Sequence, residues 1–125
     1  MKIRNYFLSA IILGLIFFAG CKNANLSKDV AGIGDAMCRN IDIMTKLRSA
    51  NPADTETIAK LQMDAKKLQI EMTILYKEFK EKYKDKVNDN AFNKEFSKEL
   101  RKSMLKNCNS LSKEDREQFE KDLDK

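Results

Sequence analysis

Asn51 to Val87 reads NPADTETIAKLQMDAKKLQIEMTILYKEFKEKYKDKV. Its apolar residues Ile58, Leu61, Ala65, Leu68, Met72, Leu75 and Phe79 recur at alternating steps of three and four, an a/d heptad seam, and Tyr83 and Val87 extend the same face at steps of four. That spacing predicts a long α-helix with one face committed to helix pairing, because side chains three and four apart share a face. The expected partners are the chain's own first and third helices, in preference to a second copy in a coiled coil. Met63, Ile70 and Ile74 fall at the f, f and c positions, off the seam. Either a further helix covers them or they form an exposed apolar patch, a possible partner surface. Asn51-Pro52-Ala53-Asp54 reads as the helix start, with Asn51 as cap and Pro52 at the first helical position. Lys77, Lys80, Lys82, Lys84 and Lys86 crowd the far end, interleaved with Glu78, Glu81 and Asp85, which reads as a solvated, self-paired face.

Toward the N-terminus, Val30, Ile33, Met37, Ile41, Met44 and Leu47 again step by three or four, predicting a first helix that starts at Ser27 as N-cap and stops near Arg48. Gly32 and Gly34 weaken it by roughly 1 kcal/mol each relative to Ala. Toward the C-terminus, Asn88-Asp89-Asn90 closes the long helix and opens a third, whose Phe92, Phe96, Leu100, Met104 and Cys108 step by four. Ser112 followed by Asp115 reads as a relaxed capping box for a last short helix carrying Phe119 and Leu123. The fold class is therefore all-α, a three- to four-helix antiparallel bundle with one long central helix, over residues 28–125.

Composition agrees and narrows the chemistry. The 125 residues hold one Pro and four Gly, too few breaks for a turn-rich β fold, and neither His nor Trp. Without His there is no Ser-His-Asp triad and no common transition-metal ligand set. The glycines lack phosphate-loop spacing, and the many carboxylates scatter along charged faces. No catalysis, metal or cofactor is expected, and a formal net charge of +5 is too mild for a nucleic-acid footprint.

The first segment, MKIRNYFLSAIILGLIFFAGC, places Lys2 and Arg4 before an uncharged apolar run from Tyr6 to Gly20. This is the layout of a secretory signal: the run is shorter than the roughly 20 apolar residues a membrane-spanning helix needs. Its end, Phe18-Ala19-Gly20-Cys21, resembles the lipobox of bacterial lipoproteins, in the relaxed form typical of spirochaetes. The resemblance implies cleavage before Cys21, leaving 1–20 as signal peptide, a diacylglyceryl group on the Cys21 thiol, an acylated (palmitate-type) amino terminus, and a short tether over 21–27. Two or more acyl chains hold a protein on a membrane stably. No Asp follows Cys21, so the resemblance to an inner-membrane retention signal is missing and the outer membrane is the expected address. Losing Lys2 and Arg4 lowers the net charge to +3.

With Cys21 assigned to lipid, Cys38 and Cys108 remain, an even number in an exported domain. A disulfide clamping the first helix to the third is expected; two buried free thiols or a metal site stay open at this point, although two Cys without His make a poor zinc site.

The layout as a whole resembles the small all-helical lipoproteins of spirochaetes, Leptospira in particular, a group that carries a location and a fold but no activity. The expected function is a membrane-anchored cell-envelope structural or protein-interaction module, a monomer or weak homodimer, whose partner is an unidentified envelope or extracellular protein. The alternative is a holdase-like periplasmic chaperone or apolar-ligand carrier, with Met37, Met44, Met63, Met72 and Met104 lining a groove. Leu111-Ser-x-x-Asp-Arg-x-Gln118 resembles a degraded copy of an element of small periplasmic helical chaperones, with Asp115 in place of that family's Gln. An exposed patch at Met63, Ile70 and Ile74 favours the first class; an internal cavity among the methionines favours the second.

Overall fold

The structure, a computed structural model, describes the backbone of residues 3–125 and the side chains from Asn25 onward. The side chain of Cys21 and the apolar run before it lie outside the described residues. Four helices follow in order: α1 (Ile3–Ser49), α2 (Thr55–Lys82), α3 (Asn90–Asn107) and α4 (Lys113–Leu123). There is no strand among the described residues.

Contacts between side chains fix the directions. Met37 of α1 lies beside Tyr76 of α2, and Asp29 beside Tyr83, so α2 runs antiparallel to α1. Gly34 meets Leu100 and Ser103, and Cys38 bonds Cys108, so α3 runs parallel to α1. α4 turns back along α3, with Arg101 facing Asp122.

The central helix is α1. It packs against both α2 and α3, and α4 packs on α3. Burial gives the reason: α1 supplies Leu26, Val30, Ile33, Ala36 and Cys38 to the core, a set spread around more than one face, whereas α2 supplies only Leu68. A helix with a broad apolar arc takes two neighbours, and one with a narrow seam takes one. The α2 seam nevertheless faces inward. Leu68 is buried and Ile58, Leu61, Ala65, Met72, Leu75 and Phe79 are half-buried, which is intramolecular packing. α2 and α3 meet through rings at one end, where Phe79 sits 5.0 Å from Phe96 and Tyr83 sits 5.2 Å from Phe92, centroid to centroid.

Three expected boundaries shift. Ser27 is not an N-cap, because α1 runs through it unbroken. Nothing in Lys22 to Leu26 breaks a helix, and Leu26 is buried against the bundle, so the stretch read as a tether is helical. Asn51-Pro52 forms a turn ahead of α2 instead of its first residues: the Asn51 side chain accepts from the Ala53 N–H, and Asp54 is the cap, accepting from the Thr57 N–H. At the other end α2 stops at Lys82, with turns over 83–88, so Val87 leaves the seam and is exposed. Asp89 caps α3 and Ser112 caps α4, the latter accepting from the Asp115 N–H as the spacing indicated.

Cys38 and Cys108 form the disulfide, their Cα atoms 5.0 Å apart. Around it Met104 is buried, and Met37 and Ile41 of α1, Leu100 of α3, Leu111 of the α3–α4 turn and Phe119 of α4 pack against this cluster. Neither thiol is left for metal or nucleophilic chemistry. Gly34 has a role that helix propensity hides. A Cβ built there lies 2.6 Å from Ser103 Oγ, whereas one at Gly32 meets nothing within 4 Å. Gly34 thus lets α3 approach α1 closely beside the disulfide.

Candidate interaction surface

Successive residues of a helix are turned about 100° apart, so Met63, Ile70 and Ile74 lie roughly opposite Leu68 on α2. Leu68 is buried against α1, and the three point away from the bundle with 57%, 63% and 51% of their surface exposed. Among the described residues no further helix covers them. Lys67 and Glu78 flank this stripe on one side, Lys66 and Lys77 on the other. An apolar strip edged by charges of both signs is the anatomy of a modest protein-binding surface: apolar in the centre and polar at the rim.

The methionines divide among different places. Met104 is buried at the disulfide and Met37 packs beside it. Met63 and Met44 are exposed, and Met72 lines an open groove between α1 and α2. They do not share an internal cavity among the described residues, so the feature that favours a carrier is not formed by them.

That groove is the element sequence reading missed. Ala65, Met72 and Tyr76 of α2 form its apolar floor, Asn40 of α1 contributes one wall, and Lys66, Lys77 and Lys80 stand at its edge; its volume is about 820 Å³. A signal for it exists in the sequence: Lys66, Gln69, Thr73, Lys77 and Lys80 step by three, four, four and three beside the seam. They form a continuous polar edge bounding an apolar strip. Without knowing that α4 packs elsewhere, nothing in that pattern says that the strip stays open.

On the other side of α2, polar contacts join it to α1. Arg39 donates to both carboxylate oxygens of Glu71, at 3.0 and 2.5 Å, and to Asp35 at 3.0 Å. Asp29 receives the Tyr83 hydroxyl at 2.8 Å and the Lys82 ammonium at 2.6 Å. These groups are occupied with one another and hold the helix pair in register. Glu71 is held below the usual carboxylate range by its Arg39 hydrogen bonds, Asp54 by the Thr57 bonds, Asp42 by Lys46 and Ser110, and Asp122 by Lys125 and Gln118. Burial, with the Asp29 hydrogen bond, pushes the Tyr83 phenol up to about 12.

The signs set a pH window. Carboxyls lowered in the folded state stabilise it above their unfolded values of 3.8 to 4.5, and the benefit disappears as pH falls through the folded values. Tyr83 stabilises below its unfolded value of 10.0 and loses that as pH rises toward 12. Thermal midpoints are expected to be flat from about pH 5 to 9 and to fall on both sides, the acid limb beginning near pH 4. A midpoint rising between pH 5 and pH 3 contradicts these ion pairs.

Among the described residues no group of three or more His, Cys, Asp or Glu is placed to hold a metal ion, and no helix is long and apolar enough to cross a membrane. Comparison with protein-family models, with curated proteins and with solved structures found no match.

Proposed function

We propose that this chain is a lipid-anchored protein of the bacterial cell envelope, acting as a structural or protein-interaction module without catalysis. The observation that carries the interaction reading is the outward stripe of α2. Met63, Ile70 and Ile74 are each more than half exposed, although α2 already has an inward seam. Large apolar side chains grouped on one face without a packing duty mark interaction sites. The anchor rests on Phe18-Ala19-Gly20-Cys21 and the charged and apolar segments before it. The continuous α1 is compatible with it: Cys21 lies four residues before Asn25, about 6 Å along a helix, so a lipid there keeps the bundle against the bilayer surface.

Two measurements test the two halves. For the anchor, mass spectrometry of the membrane-extracted chain is expected to show residues 1–20 removed and an acylated Cys21, and Cys21→Ser to release the chain to the soluble fraction. An intact N-terminus refutes it. For the module, a photo-crosslinker at position 70 or 74 of the lipidated chain is expected to give a discrete protein adduct in the envelope. Ile70→Asp together with Ile74→Asp abolishes an adduct formed from position 63 and shifts stability by no more than about 0.5 kcal/mol per site, as exposed substitutions do. Crosslinking to lipid alone, or adduct formation indifferent to the double substitution, removes the reading.

A further inference from the structure

The groove beside α2 lies open along the bundle. In an ordinary four-helix bundle each inter-helix groove is covered by a neighbouring helix. Among the described residues α4 packs on α3 and the disulfide cluster, and α2 touches only α1 and, through rings at one end, α3. The strip of Ala65, Met72 and Tyr76 is therefore left as an unfilled helix position with an apolar floor.

Its edge is predominantly basic. Lys66, Lys77 and Lys80 line it against one carboxylate, Glu81. None of the three lysines forms an ion pair among the described residues, in contrast to Arg39, Lys46, Lys82 and Lys102. Unpaired ammonium groups of one sign around an apolar strip complement an amphipathic segment with acidic flanks. The apolar floor runs about 16 Å from Ala65 to Tyr76, the length of a helix of about 11 residues, and the lining continues to Glu81, about 24 Å in all. Because the trough is open, a single acyl chain in it keeps much of its surface in water, whereas a small-molecule site buries most of its ligand. A helix laid in the trough leaves its own polar side outside, the helix-in-groove mode.

We propose that this groove receives an acidic amphipathic helix of a partner protein, its apolar face over Ala65, Met72 and Tyr76 and its carboxylates on Lys66, Lys77 and Lys80. This rests on the interaction-module reading and names the partner's class. Met72 suits the role, since its flexible thioether adapts to varied apolar surfaces. The exposed Ile70 and Ile74 continue the same wall outward and extend the contact beyond the groove.

The test uses the full chain in mild detergent and two fluorescent synthetic peptides of identical helical apolar pattern, one with Glu and one with Lys at every flanking position. The acidic peptide is expected to bind and the basic one not to. Lys66→Glu, Lys77→Glu and Lys80→Glu together are expected to weaken binding by about ten-fold or more, as high salt does, since surface pairs act through screened charge. The neutral Gln versions of the same three sites serve as a second variant should charge reversal disturb folding, which circular dichroism reports. Equal binding of both peptides, indifference to either triple variant, or displacement of the acidic peptide by a fatty acid at equimolar amounts overturns the proposal. If acidic-peptide binding fails while crosslinks from positions 70 and 74 persist, only the groove assignment falls. If both fail, the interaction-module reading falls with it.

Discussion

Reduction of the Cys38–Cys108 bond, or replacement of both residues by Ala, is expected to lower unfolding stability by about 4 kcal/mol and the thermal midpoint by about 20 °C. The bond joins residues 70 apart in sequence, so the oxidised unfolded chain forfeits the conformations in which α1 and α3 are far apart. That restriction dominates in the chain-entropy description, where the gain grows with the logarithm of loop length. The bond also forms the middle of the core at that end, with Met104 buried beside it and side chains from three helices around it. α1 and α3 also pack directly on each other beside the bond, so the reduced chain keeps those contacts and loses chiefly the restriction on its unfolded state. Urea unfolding with and without a phosphine reductant measures the effect. Coincident curves mean that the clamp contributes nothing. A domain of this size has a net stability of only about 5–15 kcal/mol, so the reduced chain is expected to be at the margin of folding.

The same substitution made two residues apart in α1 is expected to have opposite signs. Gly32→Ala meets open space and gains up to about 1 kcal/mol from helix propensity. Gly34→Ala puts its Cβ 2.6 Å from Ser103 Oγ and 3.0 Å from Ser103 Cβ, so the helices separate or Ser103 moves. Overpacking of this kind costs about 1–3 kcal/mol, more than the propensity gain, and Gly34→Leu is expected to lose about 3 kcal/mol or more. Ser103 gives an internal check. Its hydroxyl is buried with no hydrogen-bond partner, so Ser103→Ala alone is expected to be neutral or stabilising. Combined with Gly34→Ala it restores part of the loss, a non-additivity that marks direct contact. Independent, additive effects at 34 and 103 contradict the close approach. Urea midpoints of the four variants decide it.

Much of this architecture is legible in one dimension. The heptad steps from Ile58 to Phe79 and the four-residue steps from Phe92 to Cys108 announce helices with one committed face, because 3.6 residues per turn leave such spacing no other regular reading. The Asn88-Asp89-Asn90 cluster and Ser112 announce helix starts, since a side-chain acceptor beside free N–H groups is a local matter; which of the three residues caps α3 is settled by Asp89 accepting from the Ala91 N–H. The cysteine pair is legible from parity and from the faces on which the two residues fall. Met63, Ile70 and Ile74 are legible as off-seam residues, with their exposure undecided between two outcomes.

Other features were hidden because they depend on packing. Asn51 and Asp54 are both good caps, and only the turn made by Asn51 with Ala53 decides that Asp54 starts α2. Ser27 satisfies every local rule for a cap, yet Leu26 is buried against the bundle and the helix continues through both. The central position of α1 was also invisible: α2 has the more regular pattern, but a regular seam needs one neighbour, and the less regular set on α1 covers a wider arc. Gly34 reads as a weakness in a helix and is a close-approach site between two.

One dimension is enough to establish that this protein is all-α, to place α2, α3 and α4 and the end of α1 to within about five residues, to pair Cys38 with Cys108, and to leave out His-based catalysis, whereas the start of α1 lies far ahead of the Ser27 cap. These follow from local periodicity, capping and composition. Packing alone sets which helix is central, which glycine lies at a close helix–helix contact, that the outer stripe of α2 stays uncovered, and that a lysine-edged groove stays open beside it. Those depend on where α4 packs, and α4 is placed by contacts with α3 and the disulfide cluster that are distant along the chain from the groove they leave exposed.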